Sequence, residues 1–141
     1  MHSFWTKYLE YISIFFVMIG LMWALIGSFD PFGIYDSMMA KSFFGNEELN
    51  ADVKRVLSFI LAPFGATSAG YFILQYFISK NAFAEKKKWA YNSIASAFIF
   101  WFVVDSVMSA IHGAFFNIAI ANITTLLFML PPLIFTRKNF K

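Results

Sequence analysis

No cysteine occurs anywhere in the sequence, which excludes disulfides, thiol redox chemistry and thiolate metal sites. Two histidines in the whole chain are too few for a dedicated zinc centre, and no cofactor is expected. Charge is also scarce: 13% of residues are Asp, Glu, Lys or Arg, about half the share of an ordinary soluble domain. That is too little to cover a soluble globule. The net charge of +3 is small, and the bases stand beside apolar runs, so the pattern points to membrane topology and not to nucleic acid. No internal repeat is evident, which gives no support to an inverted-repeat transporter.

What is abundant is apolar bulk. Sixty per cent of the 141 residues are hydrophobic and twenty are Phe. Four stretches are long enough to cross a bilayer, at residues 11–28, 56–79, 89–111 and 114–130. The first is free of charge and reads as a retained anchor and not a cleaved signal, since further spans follow. A short polar lead with Trp5, Lys7 and Tyr8 precedes it. Ser13, Gly20, Ala24 and Gly27 make a small-residue stripe along it, matched in the second span by Ser58, Ala62, Ala66, Ala69 and Gly70. In lipid, such residues let helices approach closely. Pro63 predicts a kink in the second span, and Gln75 there is placed to bond a neighbour or reach the interface.

The loop at residues 29–55 opens on Asp30-Pro31-Phe32-Gly33, a stop-and-turn signal. Residues 34–44 predict a short interfacial helix, ended by Gly45-Asn46, and Asn50 is placed to cap the next helix. His112-Gly113 allows a tight turn between spans three and four, and Pro131-Pro132 predicts an end or kink in the fourth.

The fold class is therefore an all-α membrane protein, one domain over residues 1–141, with four transmembrane helices in an antiparallel up-down bundle. Lys7, Lys80, Lys86, Lys87, Lys88, Arg137, Lys138 and Lys141 fall on one side, and Lys41, Lys54 and Arg55 on the other. The positive-inside rule then places both termini in the cytoplasm and the 29–55 loop outside. The expected location is the plasma or inner membrane.

The candidate site is in WFVVDSVMSAIHGAFFNIAIAN, residues 101–122. Asp105, Ser109 and His112 are spaced four and three apart, so on a helix they share a face. Asp105 lies ~10 Å inside the end of its span by the helical rise. A charged Asp at mid-helix costs about 2.5 to 3.5 kcal/mol to insert, less near the boundary, so it must face protein, water or a partner. His112 and Asn117 flank the turn, Asn122 lies deeper, and Trp101 stands one turn below Asp105, placed to floor a cavity. Asp105 has three options: the neutral acid, a carboxylate against protonated His112, or an acceptor from Asn and Ser neighbours. These residues fit an outward-facing pocket for a ligand or proton; one acid without a second acid or a base beside it fits better a polar joint between the third and fourth helices. Nothing fixes a nucleophile turn, so a hydrolase triad and enzymatic activity are not expected. Asp105, His112 and Asn117 are too weak a set for a metal.

Lys88-Trp89-Ala90-Tyr91, Trp101-Phe102 with Asp105 and Ser109, then Gly113 and Asn117, together resemble a group of small four-helix bacterial membrane proteins of uncharacterised function; Gly65-Ala66-Thr67 and Gly70 echo it earlier. The resemblance implies four helices in a bacterial cytoplasmic membrane and carries over no catalytic residue. The readings that follow are two. One is a membrane protein that binds a lipid-like or small polar ligand near Asp105 and His112, or that supports a membrane complex. The other is a small oligomeric transporter or channel subunit with Asp105 as its proton or cation site. The expected partners are the bilayer, a lipid or small-molecule ligand, and a second copy or another membrane protein; nucleic acid is not among them.

Overall fold

The computed structural model describes residues 2–27, 30, 32–45 and 48–140. Ser28 at the end of the expected first span, Pro31 in the turn signal, Asn46 after the short helix and the terminal base Lys141 lie outside the described residues. Among those described, every regular element is helical. The elements are α1 (His2–Ile26), α2 (Ile34–Phe44), α3 (Ala51–Ile78), α4 (Lys88–Ile111), α5 (Phe115–Asn117) and α6 (Ile123–Thr136). A π-helical turn, Ser79–Phe83, extends α3, and another, Ile118–Asn122, joins α5 to α6; a 3-10 turn, Arg137–Asn139, follows α6. Four continuous helices, His2–Ile26, Ala51–Phe83, Lys88–Ile111 and Phe115–Asn139, are long and apolar enough to cross a membrane.

The helices are longer than the apolar runs that predict them. The polar lead is not a separate segment, because α1 begins at His2. Leu9 is fully buried, Thr6 and Glu10 nearly so, and the Trp5 ring stacks on Phe135 at 5.3 Å. These contacts hold the first turns helical. Glu10 is neutralised within its own helix by Lys7, whose Nζ donates to both carboxylate oxygens at 2.8 and 3.0 Å. The basic connection before α4 shrinks because Ser79–Phe83 stays helical.

Pro131 and Pro132 neither end nor break α6. A proline at position i leaves the carbonyl at i−4 without its helical donor. For Pro132 that carbonyl belongs to Phe128, and the Tyr8 hydroxyl donates to it at 3.1 Å. A side chain from α1 thus replaces the missing bond. Helix α3 likewise continues through Pro63.

Helices α1 and α3 meet along small residues. A Cβ on Gly20 would stand 2.7 Å from the Gly65 carbonyl oxygen and 2.8 Å from the Ala69 amide. One on Gly65 would collide with the Gly20 carbonyl oxygen and lie 2.6 Å from the Ala24 amide. Only glycine permits this approach, which in lipid brings van der Waals contact where the hydrophobic effect offers none. Gly27 meets Ser58 further along, and Phe16 stacks on Phe72 at 4.6 Å. Gln75 is 2% exposed, so it does not reach the interface; its Nε2 donates to Ser13 Oγ at 3.0 Å. Ala66 and Gly70 are not part of the seam. Both are exposed, and a Cβ on Gly70 would meet nothing within 4 Å. They lie one residue beyond Gly65 and Ala69, about 100° around the helix, which turns them outward.

The start of α1 and the turn after α6 lie together. His2 Nε2 bonds the Phe83 carbonyl at 3.0 Å, and Asn139 Nδ2 approaches His2 Nδ1 at 3.4 Å. At the opposite end α2 meets the connection between α4 and α6. No more than 28% of the most apolar window of any span is buried, so most of each span's surface is left for lipid or a partner.

Candidate functional site

The α4–α6 turn is built from local geometry. Gly113 adopts φ +72°, the left-handed conformation that glycine enters without steric cost. Its N–H bonds the Ala110 carbonyl at 3.1 Å and the next amide, Ala114, bonds Ser109 at 2.8 Å. This pair of bonds is the Schellman motif, and it ends α4 within one turn. The chain reverses at once, and residues 115–122 descend beside the end of α4.

Asp105 and Ser109, four apart on α4, face that descending strand of chain. Asn117 Nδ2 donates to Asp105 Oδ2 and to Ser109 Oγ, both at 2.9 Å. One level deeper, Asn122 Nδ2 donates to Ser106 Oγ at 2.9 Å. On an ideal α-helix residues 117 and 122, five apart, would point about 140° from one another. The π-helical turn Ile118–Asn122 closes i to i+5 bonds, which stacks residues five apart and turns both amides toward α4.

A third segment completes the group. The Tyr35 hydroxyl on α2 donates to Asn117 Oδ1 at 3.0 Å. The Tyr35 ring also meets Phe116 edge-on at 5.0 Å. Helix α2 is fixed at its start because Asp30 Oδ2 accepts from the Asp36 amide at 2.9 Å. Lys54 Nζ, 3.9 Å from Asp36 Oδ2, ties it to the first turn of α3, where Asn50 accepts from the Val53 amide as its cap. Burial, and then the carboxylates of Asp105 and Asp36, push the Tyr35 phenol above the ordinary tyrosine range. It therefore stays a donor.

The sequence-predicted residues are divided by this geometry. Asp105, Ser109 and Asn117 are brought together. Asn122 is fully buried but forms a separate bond with Ser106, and its Oδ1 is without a partner among the described residues. His112 is not at the site. It is exposed and caps α4, its backbone N–H bonding the Met108 carbonyl at 3.1 Å. A shared face does not bring it to the acid, because His112 stands at the exposed end of α4, ~10 Å along the helix axis from Asp105. Trp101 packs against the apolar core and Phe98, 6.1 Å between ring centroids, and makes no hydrogen bond to the acid. Asp105 Oδ2 accepts from Asn117, and no ion pair with His112 forms among the described residues. Tyr35 and Ser106 belong to the two groups and were not singled out from sequence. Ser106 adjoins Asp105 and carried a signal; Tyr35 lies 82 residues from Asn117 and carried none.

Four helices long and apolar enough to cross a membrane fit a multi-pass helical membrane protein. No family model matches the chain, and no curated protein or solved structure matches it either.

Proposed function

We propose that this is a non-enzymatic protein of the bacterial inner membrane, termini in the cytoplasm, which holds a small polar ligand or lipid headgroup at Asp105. The observation that carries the reading is the state of that carboxylate. It is half-buried, and Asn117 donates to Oδ2 alone. Oδ1 has no bond to another described side chain and is not sealed from solvent. An acid in this setting can accept from a hydroxyl or amine. The Lys/Arg distribution supports placing this end outside the cell. Asn117 and Tyr35 orient the acid and hold α2 beside it; the apolar faces alongside suit an acyl chain or a neighbouring protein.

A second reading is an oligomeric transporter or channel subunit that uses Asp105 as a proton or cation site. Its support is the small buried share of each span, which leaves room for a second copy. One comparison separates the two. Mass spectrometry of molecules copurified with wild type and with Asp105→Asn is expected to find a species that only wild type retains, with helicity unchanged. Identical complements would overturn the ligand reading. Proton flux in proteoliposomes that Asp105→Asn abolishes would establish the second.

A further inference from the structure

We propose that the groove between α4 and α6, at the end where His2 meets Asn139, is a binding site for one anionic phospholipid. The phosphate would sit against Arg137 and Lys138, and one acyl chain would lie along Ala95, Ile99, Leu130 and Ile134. This site is at the opposite end of the molecule from Asp105 and does not depend on the reading given for it.

The groove is lined on one side by residues of α4 and on the other by residues of α6, with Arg137 and Lys138 at its mouth. Its walls follow helical spacing. Positions 91, 95 and 99 recur every four residues on α4, and 130, 133, 134 and 137 are three or four apart along α6 and the first residue after it, so each wall is one continuous helix face, with Lys138 in the turn that follows. Eight residues at the helical rise make it ~12 Å long. One leaflet of the hydrocarbon core is about 15 Å deep, so the groove matches most of an acyl chain's path. Lipid tails are the one apolar occupant present wherever these helices cross a membrane.

The cations are held at the mouth by structure. Phe140, nearly fully buried, packs on Tyr91 at 5.1 Å and on Phe83 at 4.6 Å. That anchor holds the Arg137–Asn139 turn, which continues α6, in place at the groove's end. The Tyr91 hydroxyl donates to the Leu133 carbonyl at 3.2 Å and fixes the two walls together. Arg137 and Lys138 are both exposed, and neither has an acidic partner among the described residues. Lys88 begins α4 one turn before Tyr91 and adds a third positive charge at this end. Basic residues that only set topology need neither a fixed turn nor an apolar groove beneath them. Basic pockets between membrane helices on the cytoplasmic side are suited to phosphate head groups, and the guanidinium of Arg137 can bind phosphate oxygens in pairs.

The test is native mass spectrometry of delipidated protein titrated with dioleoyl-phosphatidylglycerol or dioleoyl-phosphatidylcholine. Wild type should bind one phosphatidylglycerol, preferred over phosphatidylcholine by roughly tenfold or more. Arg137→Gln with Lys138→Gln should abolish the preference. Lys86→Gln with Lys87→Gln, which removes the same charge away from the groove, should keep it. Ala95→Phe, which fills the groove, should abolish stoichiometric binding with helicity and thermal stability unchanged. Equal binding of both lipids, or equal loss from the two double variants, would overturn the proposal in favour of unspecific surface charge.

Discussion

The Tyr35 hydroxyl donates to Asn117 Oδ1 at 3.0 Å, and through that one amide the loop helix is joined to an acid inside the membrane-spanning part of the chain. Asn117 uses its carbonyl for α2 and its amino group for α4. Movement of α2 therefore bears on how Asp105 is held.

Tyr35→Phe removes the donor and leaves an acceptor in a half-buried position. The expected cost is about 1 to 2 kcal/mol. It should appear as faster hydrogen exchange across α2, with exchange in α1 and α3 unchanged. Exchange in α2 equal to wild type would show that the bond does not hold the helix.

The same bond predicts an alkaline limit. The phenol of Tyr35 is raised above its usual value, about 10, first by burial and then by Asp105 and Asp36. The folded state thus keeps a proton that the unfolded chain releases first. The bond's contribution is complete below about pH 10 and declines as pH rises through the higher folded value. Protection of α2 should hold to that point and then fall, and Tyr35→Phe should remove this step.

Gly65 and Gly70 lie five apart on α3 and should respond in opposite directions to alanine. At Gly65 the new Cβ meets backbone atoms of Gly20 and Ala24, which cannot turn aside. Gly65→Ala should cost about 1 to 3 kcal/mol by forcing α1 and α3 apart. At Gly70 there is open space, so Gly70→Ala should stabilise by up to about 1 kcal/mol through helix propensity. Thermal unfolding in detergent measures both.

Tyr8→Phe should cost about 1 to 3 kcal/mol, because the Phe128 carbonyl then has no donor. Pro132→Ala returns the backbone N–H that proline lacks. In that background Tyr8→Phe should cost much less, and a double-mutant cycle on unfolding free energies reads the difference. A cost that is the same in both backgrounds would mean the hydroxyl does not compensate for the proline.

Lys86 carries a left-handed backbone, φ 58°, where the Ser79–Phe83 turn ends. A residue with a Cβ pays about 1 to 2 kcal/mol in this region. Lys86→Gly should therefore raise stability by about 1 kcal/mol, visible as a higher melting temperature.

Much of this was legible in the sequence because it rests on local rules. Long apolar runs with no more than one charge mark the spans. His112-Gly113 marks the turn, with Gly113 in the left-handed conformation, and Asn50 marks the cap of α3. The spacing of Asp105 and Ser109 gave their common face, and Gly20 with Ala24 gave the seam that meets Gly65. Of the two outcomes read at Pro131-Pro132, an end or a kink, the end does not occur, and His112, on the face of Asp105 by spacing, stands away from it at the exposed end of α4.

The sequence by itself determined that the chain is helical and membrane-spanning, since bilayer thickness and the cost of bare peptide groups in oil act on any single segment. Only the tertiary structure decided which partner each polar group takes. Tyr35 reaches Asn117, Tyr8 replaces the bond lost at Pro132, and a π-helical turn aligns Asn117 with Asn122. Each of these joins residues whose neighbourhood is set by how whole helices pack, and no local pattern in the sequence records that.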